Sequence, residues 1–238
     1  MRKRRSFARR RLTAVFIQFL GDNKLPIAML TGLYLVSVAI GKVLGGHGYW
    51  QGFSNGFELA ALIASFLLLF LMHTGALNQI AGAYGESRTQ DELEKARRRG
   101  SVWGAVHNVE LPDGDIDSIV FAPGGVLAIE TKWQMRSLDR HWLERDVAQA
   151  QRGADKTRLV LRSKNVDVGV HDVTPLLVIW GKASADVAEG GENVRGVHVL
   201  DGNELQSWLT RVADGPLSQT TATLACNALT RFAEQRAV

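Results

Sequence analysis

Asp115-Ile116-Asp117-Ser118-Ile119-Val120-Phe121-Ala122-Pro123-Gly124-Gly125-Val126-Leu127-Ala128-Ile129-Glu130-Thr131-Lys132 is the stretch on which the fold turns. Val126 to Ile129 has the composition of a buried strand, yet it runs straight into Glu130 and Lys132. Strand side chains alternate between faces, so residues 130 and 132 share one. Asp115 to Phe121 reads as a second strand, and Pro123-Gly124-Gly125 as the turn of a hairpin. With Gly124-Gly125 as a two-residue loop, Asp117 stands opposite Lys132, and Glu130 lies diagonally across on the same face. Two carboxylates and one ammonium then meet at the open end of the hairpin. Close carboxylates suit a hard, oxygen-seeking cation such as Mg²⁺, and the lysine is placed to orient or activate a water. A solvated salt bridge at a hairpin end is the competing reading. The acid on the partner strand, arriving in register, favours a metal-dependent phosphodiesterase site.

The rest of the composition limits the alternatives. The 238 residues contain one cysteine, Cys226, which excludes an intramolecular disulfide and a cysteine-based zinc site. The six histidines are scattered without ligand spacing. The net charge of +4 is concentrated at the N-terminus, in Arg2, Lys3, Arg4, Arg5, Arg9, Arg10 and Arg11. Two apolar runs follow, about 26–44 and 57–77. The first would make about 28 Å of helix at about 1.5 Å per residue, enough to span a bilayer. The segment between them lacks lysine and arginine, whereas Arg97-Arg98-Arg99 follow the second run. The positive-inside rule then puts both termini in the cytoplasm. The expected organisation is a basic segment over 1–24, two transmembrane helices within 25–78, and a cytoplasmic domain over 79–238. Such a chain is a multi-pass protein of the inner (plasma) membrane. Lys42, Glu58 and His73 fall near the expected helix ends, where interfacial placement accounts for them. Two spans are too few for a transporter or channel.

Past Asn78 the elements alternate. A helix is expected over 85–99, a strand over 102–111, a turn at Pro112-Asp113-Gly114, and then the two hairpin strands. A long helix over 141–163 carries Leu143, Val147, Ala150, Ala154 and Leu161 near 3.6 spacing. Strands over 173–180 and 197–200 follow, then a helix capped by Asp201 or Asn203, and a last helix over 219–234. Glu189-Gly190-Gly191-Glu192-Asn193 reads as a loop without phosphate-binding spacing. The order α-β-β-β-α-β-β-α-α predicts an α/β domain, a mixed sheet with helices on both faces.

An Asp at the start of the second core strand, with E-x-K on the third, resembles the PD-(D/E)xK nuclease superfamily and its restriction-endonuclease-like fold. Within it the sequence is most similar to the NERD (nuclease-related domain) family. The resemblance rests on Gly85-Glu86, Leu111-Pro112-x-Gly114-Asp115-Ile116-Asp117, Pro123-x-Gly125-Val126, Ile129-Glu130-Thr131-Lys132 and Gln149-Ala150, and covers about residues 83–200. It implies that Asp117 and Glu130 bind Mg²⁺ or Mn²⁺ and that Lys132 acts on water. It also implies that Glu86 is the first-helix acid reaching the site and Gln149 a polar residue on the helix behind it. The chain departs from related sequences after the lysine, where Trp133-Gln134-Met135-Arg136-Ser137 contains no glycine. That puts substrate choice in question more than metal binding.

Two functions follow as expectations. The first is a membrane-anchored, metal-dependent nuclease (a hydrolase) acting on DNA or, failing that, RNA. The second is a non-catalytic module of the same fold that binds nucleic acid or protein at the inner membrane face. Glu86 has a capping role as its alternative, and Gln149 a backbone-pairing one. Arg152, Lys156, Arg158, Arg162 and Lys164 make a basic helix end, suited to phosphate tracking or simply to solvation. Trp133 and Trp142 are suited to stacking on bases or to packing at the rim.

Overall fold

The computed structural model describes residues 16–44, 48–74, 76–111, 114–163, 173–212, 215 and 217–236. The basic cluster Arg2–Arg11, the turn residues Pro112 and Asp113, and Lys164 lie outside them. The chain divides into two compact units, Met1–Ala83 and Tyr84–Val238.

In the first unit, α1 (Lys24–Leu44) and α2 (Tyr49–Thr74) are apolar helices. Both contain a segment long and apolar enough to cross a membrane, Lys24–Val43 and Gly52–Phe70. Helix α2 starts eight residues before the expected Phe57, so Tyr49–Gly56, expected as a connecting loop, is helical. Tyr49, Trp50 and Phe53 extend its apolar character upstream, and glycines such as Gly52 and Gly56 are common in apolar helices of this kind. Glu58 is consequently interior to the helix rather than at its end. Its Oε2 accepts a hydrogen bond from Ser37 Oγ of α1 at 2.8 Å, which satisfies a carboxylate among apolar side chains. Residues 16–22, expected within the basic segment, are also helical. There Phe16 and Phe19 pack edge-on against Phe66 and Phe70 at 5.2–6.4 Å between ring centroids.

Helix α3 (Ala76–Arg98) carries the chain into the second unit. There β1 (Gly104–Val109), β2 (Ile116–Ala122) and β3 (Gly125–Gln134) form an antiparallel meander. Helix α4 (Arg140–Ser163) leads to β4 (Val173–Gly181), which runs parallel to β3. A short β5 (Glu192–Val194) and β6 (Val197–Asp201) complete a six-stranded mixed sheet of order β1-β2-β3-β4-β6-β5. Helices α5 (Leu205–Arg211) and α6 (Gln219–Arg236) end the fold. This is the expected α/β architecture. Asp201 accepts from Asn203 N at 2.9 Å and caps the 3-10 turn Gly202–Glu204, whereas α5 itself, entered through Glu204, has no side-chain cap, so the expected cap sits one turn before the helix.

One strand was not legible. Glu192 and Asn193, expected in a loop, belong to β5, an edge strand closed onto β6 by Arg195-Gly196. Both turn residues have positive φ, 53° and 83°, as a tight two-residue hairpin requires. A three-residue strand is too short to show an alternating pattern.

The two sheet faces have separate cores. Val120, Leu127, Ile129, Leu176 and Val178 pack with Leu93 and Ala96 of α3 and with Leu205, Trp208 and Leu209 of α5. On the other face Ile119, Phe121 and Ala128 meet Ala154 and Leu161 of α4 and Leu229 of α6. Leu177 and Ile179 of β4 meet Val147 and Ala150 of α4 there as well. By strand alternation, Asp117, Glu130, Lys132 and Gln134 all belong to this α4 face.

Candidate active site at the carboxyl end of the central strands

The hairpin register differs from the expected one by two residues. Ala122 pairs with Gly125, Phe121 with Val126 and Ser118 with Ile129, so Pro123-Gly124 rather than Gly124-Gly125 forms the loop. One step beyond the ladder, Asp117 stands opposite Glu130, and Lys132 becomes the diagonal neighbour. Gly125 takes φ 133°, which lets it close the turn as a strand residue. A slip of two preserves the face of every side chain, where a slip of one would have reversed them all. The three residues therefore stay together although their pairing changes.

Each is held by a definite partner. Asp117 Oδ2 accepts from Thr131 N at 2.7 Å, so the carboxylate prolongs the hairpin where its backbone ladder stops. Glu130 is 6% exposed, and its Oε1 meets Lys132 Nζ at 2.7 Å. Lys132 Nζ also donates to Gln149 Oε1 of α4 at 3.0 Å. The Gln149 side chain thus fixes the lysine from the helix above it. Burial pushes the Glu130 carboxyl up to about 7, and the Asp117 charge adds to this; Lys132 opposes it, and Asp146 contributes least.

Asp146 escaped the sequence reading. It is 2% exposed on the inward stripe of α4, beside Val147 and Ala150. Its Oδ2 accepts from Gln134 Nε2 at 3.1 Å, and its Oδ1 from Arg145 Nη2 at 3.2 Å. A polar row, Glu130-Lys132-Gln134 on the strand and Asp146-Gln149 on the helix, therefore runs through an otherwise apolar layer. The available signal was an acid at i−4 from Ala150 in an apolar stripe.

Glu86 is placed differently from the others. It lies on α3, whose Leu93 and Ala96 pack on the opposite sheet face. A Cβ added at its neighbour Gly85 would lie 3.4 Å from Trp133 Cβ and 3.5 Å from Thr131 Cγ2. The helix thus approaches β3 through the residues on either side of Lys132. Helix α3 begins ten residues upstream of Glu86, so the first-turn capping alternative does not apply. Thr89 of the same helix accepts from Trp180 Nε1 at 2.8 Å and from Thr131 Oγ1 at 3.1 Å, tying α3 to both central strands.

The basic end of α4 is partly structural. Arg158 Nη2 donates to Val173 O at 2.8 Å and the side chain pairs with Asp155. Lys156 Nζ donates to Gly114 O at 3.3 Å, and Arg152 and Arg162 are exposed. Trp142 is partly exposed, with the Arg145 guanidinium 5.8 Å from its ring centroid.

The site lies toward the carboxyl ends of parallel β3 and β4, where open α/β sheets place their ligands. Gly181 closes that end. Its φ is 86°, and a Cβ there would come within 2.5 Å of Gln134 O, so the strand ends converge only because this residue is glycine. Among the described residues, no group of three or more His, Cys, Asp or Glu side chains is arranged to hold a metal. Asp117 and Glu130 supply two hard oxygen donors. That donor set fits Mg²⁺, which keeps several waters and takes one or two carboxylates together with substrate phosphate oxygens. It would not make a closed structural metal cage.

No curated protein and no solved structure matches the chain. A family model described as "Nuclease-related domain" (NERD) matches residues 81–179, the span from α3 through β4 that contains Asp117, Glu130, Lys132 and Gln149. Residues 81–179 of this chain are a nuclease-related domain.

Proposed function

We propose that the chain is a membrane-anchored nuclease, dependent on Mg²⁺ or Mn²⁺, that hydrolyses phosphodiester bonds in DNA or RNA. Asp117 and Glu130 would hold the metal, and Lys132 would position or activate the attacking water. The observation that carries this reading is the convergence of Asp117, Glu130 and Lys132 on one sheet face of a nuclease-related domain. A phosphodiester resists attack because its anionic oxygens repel hydroxide. A divalent ion between the two carboxylates would supply charge neutralisation and a bound water of lowered pKa.

The residues themselves divide the remaining work. Glu130, pushed up to about 7 by burial and by Asp117, would be held as the carboxylate by a bound cation. Lys132, fixed between Glu130 Oε1 and Gln149 Oε1, can donate to a water or to a phosphate oxygen in the transition state. Gln149 acts as a positioning residue for that ammonium. Helices α1 and α2 would anchor the domain, with the N-terminal arginines and Arg97-Arg98-Arg99 holding it on the cytoplasmic side.

The second reading is a non-catalytic module that binds nucleic acid or protein at the membrane. It is favoured by one observation, that among the described residues no group of three or more metal-ligating side chains is arranged to hold an ion and Lys132 already pairs with Glu130. The deciding experiment incubates the full chain, in detergent, with labelled single- and double-stranded DNA and RNA and Mg²⁺ or Mn²⁺. Cleavage that disappears in both Asp117→Ala and Lys132→Ala supports hydrolysis. Binding without cleavage, unchanged by these substitutions, supports the module.

A further inference from the structure

Lys132 is followed by Trp133, which points to the other sheet face and into a cluster that the hydrolytic site does not use. Tyr84 meets the Trp133 ring edge-on, with centroids 5.0 Å apart and planes at 71°. Arg88, one helical turn along α3, holds its guanidinium 5.2 Å from the Tyr84 ring centroid and 5.5 Å from that of Trp180. Trp133 Nε1 donates to Met135 Sδ at 3.0 Å. Tyr84 is 50% exposed and Met135 71%, so the cluster opens to its surroundings at the strand end. Arg136 and Lys182, both exposed, follow Met135 and Gly181 in the chain.

We infer that Tyr84, Arg88, Trp133 and Met135 form a platform that stacks an unpaired nucleobase of a single-stranded or frayed nucleic acid, one residue away from the Lys132 site. The substrate class rests on the nuclease reading; the platform adds which form of nucleic acid is held. Trp133 is the half-buried support and Tyr84 the exposed ring. Arg88 lies over that ring, where it adds a cation–π contact and a charge for the adjoining phosphate. Within a duplex the base faces are covered by their neighbours and only the edges reach the grooves. An exposed aromatic cluster can therefore engage only bases that have left the stack. The backbone of such a strand, with its base on Tyr84, would continue over the end of β3 toward Lys132.

The test measures binding of a fluorescein-labelled oligothymidylate, and of a duplex closed at both ends by base-free hexaethylene glycol linkers, to the full chain in detergent with EDTA. Tyr84→Ala should weaken binding of the single strand by about tenfold, the lower part of the range for losing one base–aromatic stack, and leave the closed duplex unchanged. Tyr84→Trp should retain strand binding, and equal thermal unfolding of the variants would separate stacking from misfolding. Equal strand affinity in wild type and Tyr84→Ala, or an equal loss on both probes, overturns the inference. In lipid nanodiscs, a fluorophore at Arg136→Cys (in Cys226→Ser), beside the platform, should respond to the oligonucleotide; quenching by brominated lipid instead would assign the cluster to the bilayer and overturn it too. The two proposals fail separately. Strand binding that depends on Tyr84 without any hydrolysis removes only the nuclease. Hydrolysis abolished by Asp117→Asn, with strand affinity indifferent to Tyr84→Ala, removes only the platform.

Discussion

Replacing Glu130 by glutamine should stabilise the metal-free protein, and only above the acid range. The folded carboxyl is raised from its ordinary 4.5 to about 7, first by burial and then by Asp117. Each tenfold change in proton affinity is worth about 1.4 kcal/mol, so the whole shift corresponds to about 3 kcal/mol. The sign follows from which state holds the proton. Below about pH 4.5 both folded and unfolded chains carry Glu130 protonated, and no penalty exists. Between about 4.5 and 7 the unfolded chain ionises first, so folding stability falls as pH rises; above 7 the full penalty remains. Glutamine has no such transition, and Lys132 keeps Gln149 Oε1 as an acceptor. Glu130→Gln should therefore be within error of wild type at pH 4 and up to about 3 kcal/mol more stable at pH 8 in EDTA. The assay is urea unfolding of the full chain in detergent, followed by emission from Trp103, Trp133, Trp142, Trp180 and Trp208. Mg²⁺ at one thousand times its Kd should reverse the order, since it stabilises the form that binds it by about 4.1 kcal/mol, more than the penalty of about 3 kcal/mol. A difference between variant and wild type that does not change with pH would refute the reasoning.

Asp117→Asn keeps an acceptor for Thr131 N but removes the charge beside Glu130, so the Glu130-dependent fall in stability should move to lower pH in the same titration; an unmoved midpoint would separate the two carboxylates. The same variant should lose Mn²⁺ binding, measured by electron paramagnetic resonance. Gly181→Ala forces a side chain at φ 86° against Gln134 O and should cost about 3 kcal/mol by urea unfolding. Thr89→Val leaves the buried Trp180 N–H without its 2.8 Å acceptor, an expected loss of about 2 kcal/mol in the same measurement. Lys132→Met should abolish cleavage while leaving Mn²⁺ affinity largely intact, a split that a purely structural lysine would not give.

The hairpin shows why some of the site was readable and some was not. Strand alternation alone fixed that Glu130 and Lys132 share a face, and the Pro123-Gly124-Gly125 turn brought Asp117 onto the adjoining strand. Which residue Asp117 opposes depended on the loop closing at Pro123-Gly124, a choice that differs by two residues and leaves no trace in an alternating pattern. Glu86 was legible as an acid on the first helix. Its place relative to the sheet followed from Leu93 and Ala96 docking on the face opposite Glu130, a tertiary outcome. Asp146 and Gln134 were hidden because a buried polar pair looks, in sequence, like two unrelated surface residues.

Composition and periodicity by themselves determined the two apolar helices, the α/β order of the second unit apart from β5 and the identity of the acids and lysine. These depend on local physics, side-chain alternation and the hydrophobicity of contiguous runs. Tertiary structure alone decided the hairpin register, the burial that lifts Glu130, the Gln149 clamp on Lys132 and the Tyr84–Trp133 cluster. Each of these requires residues far apart in the chain to meet, and the energies that select them arise only once the helices close over the sheet.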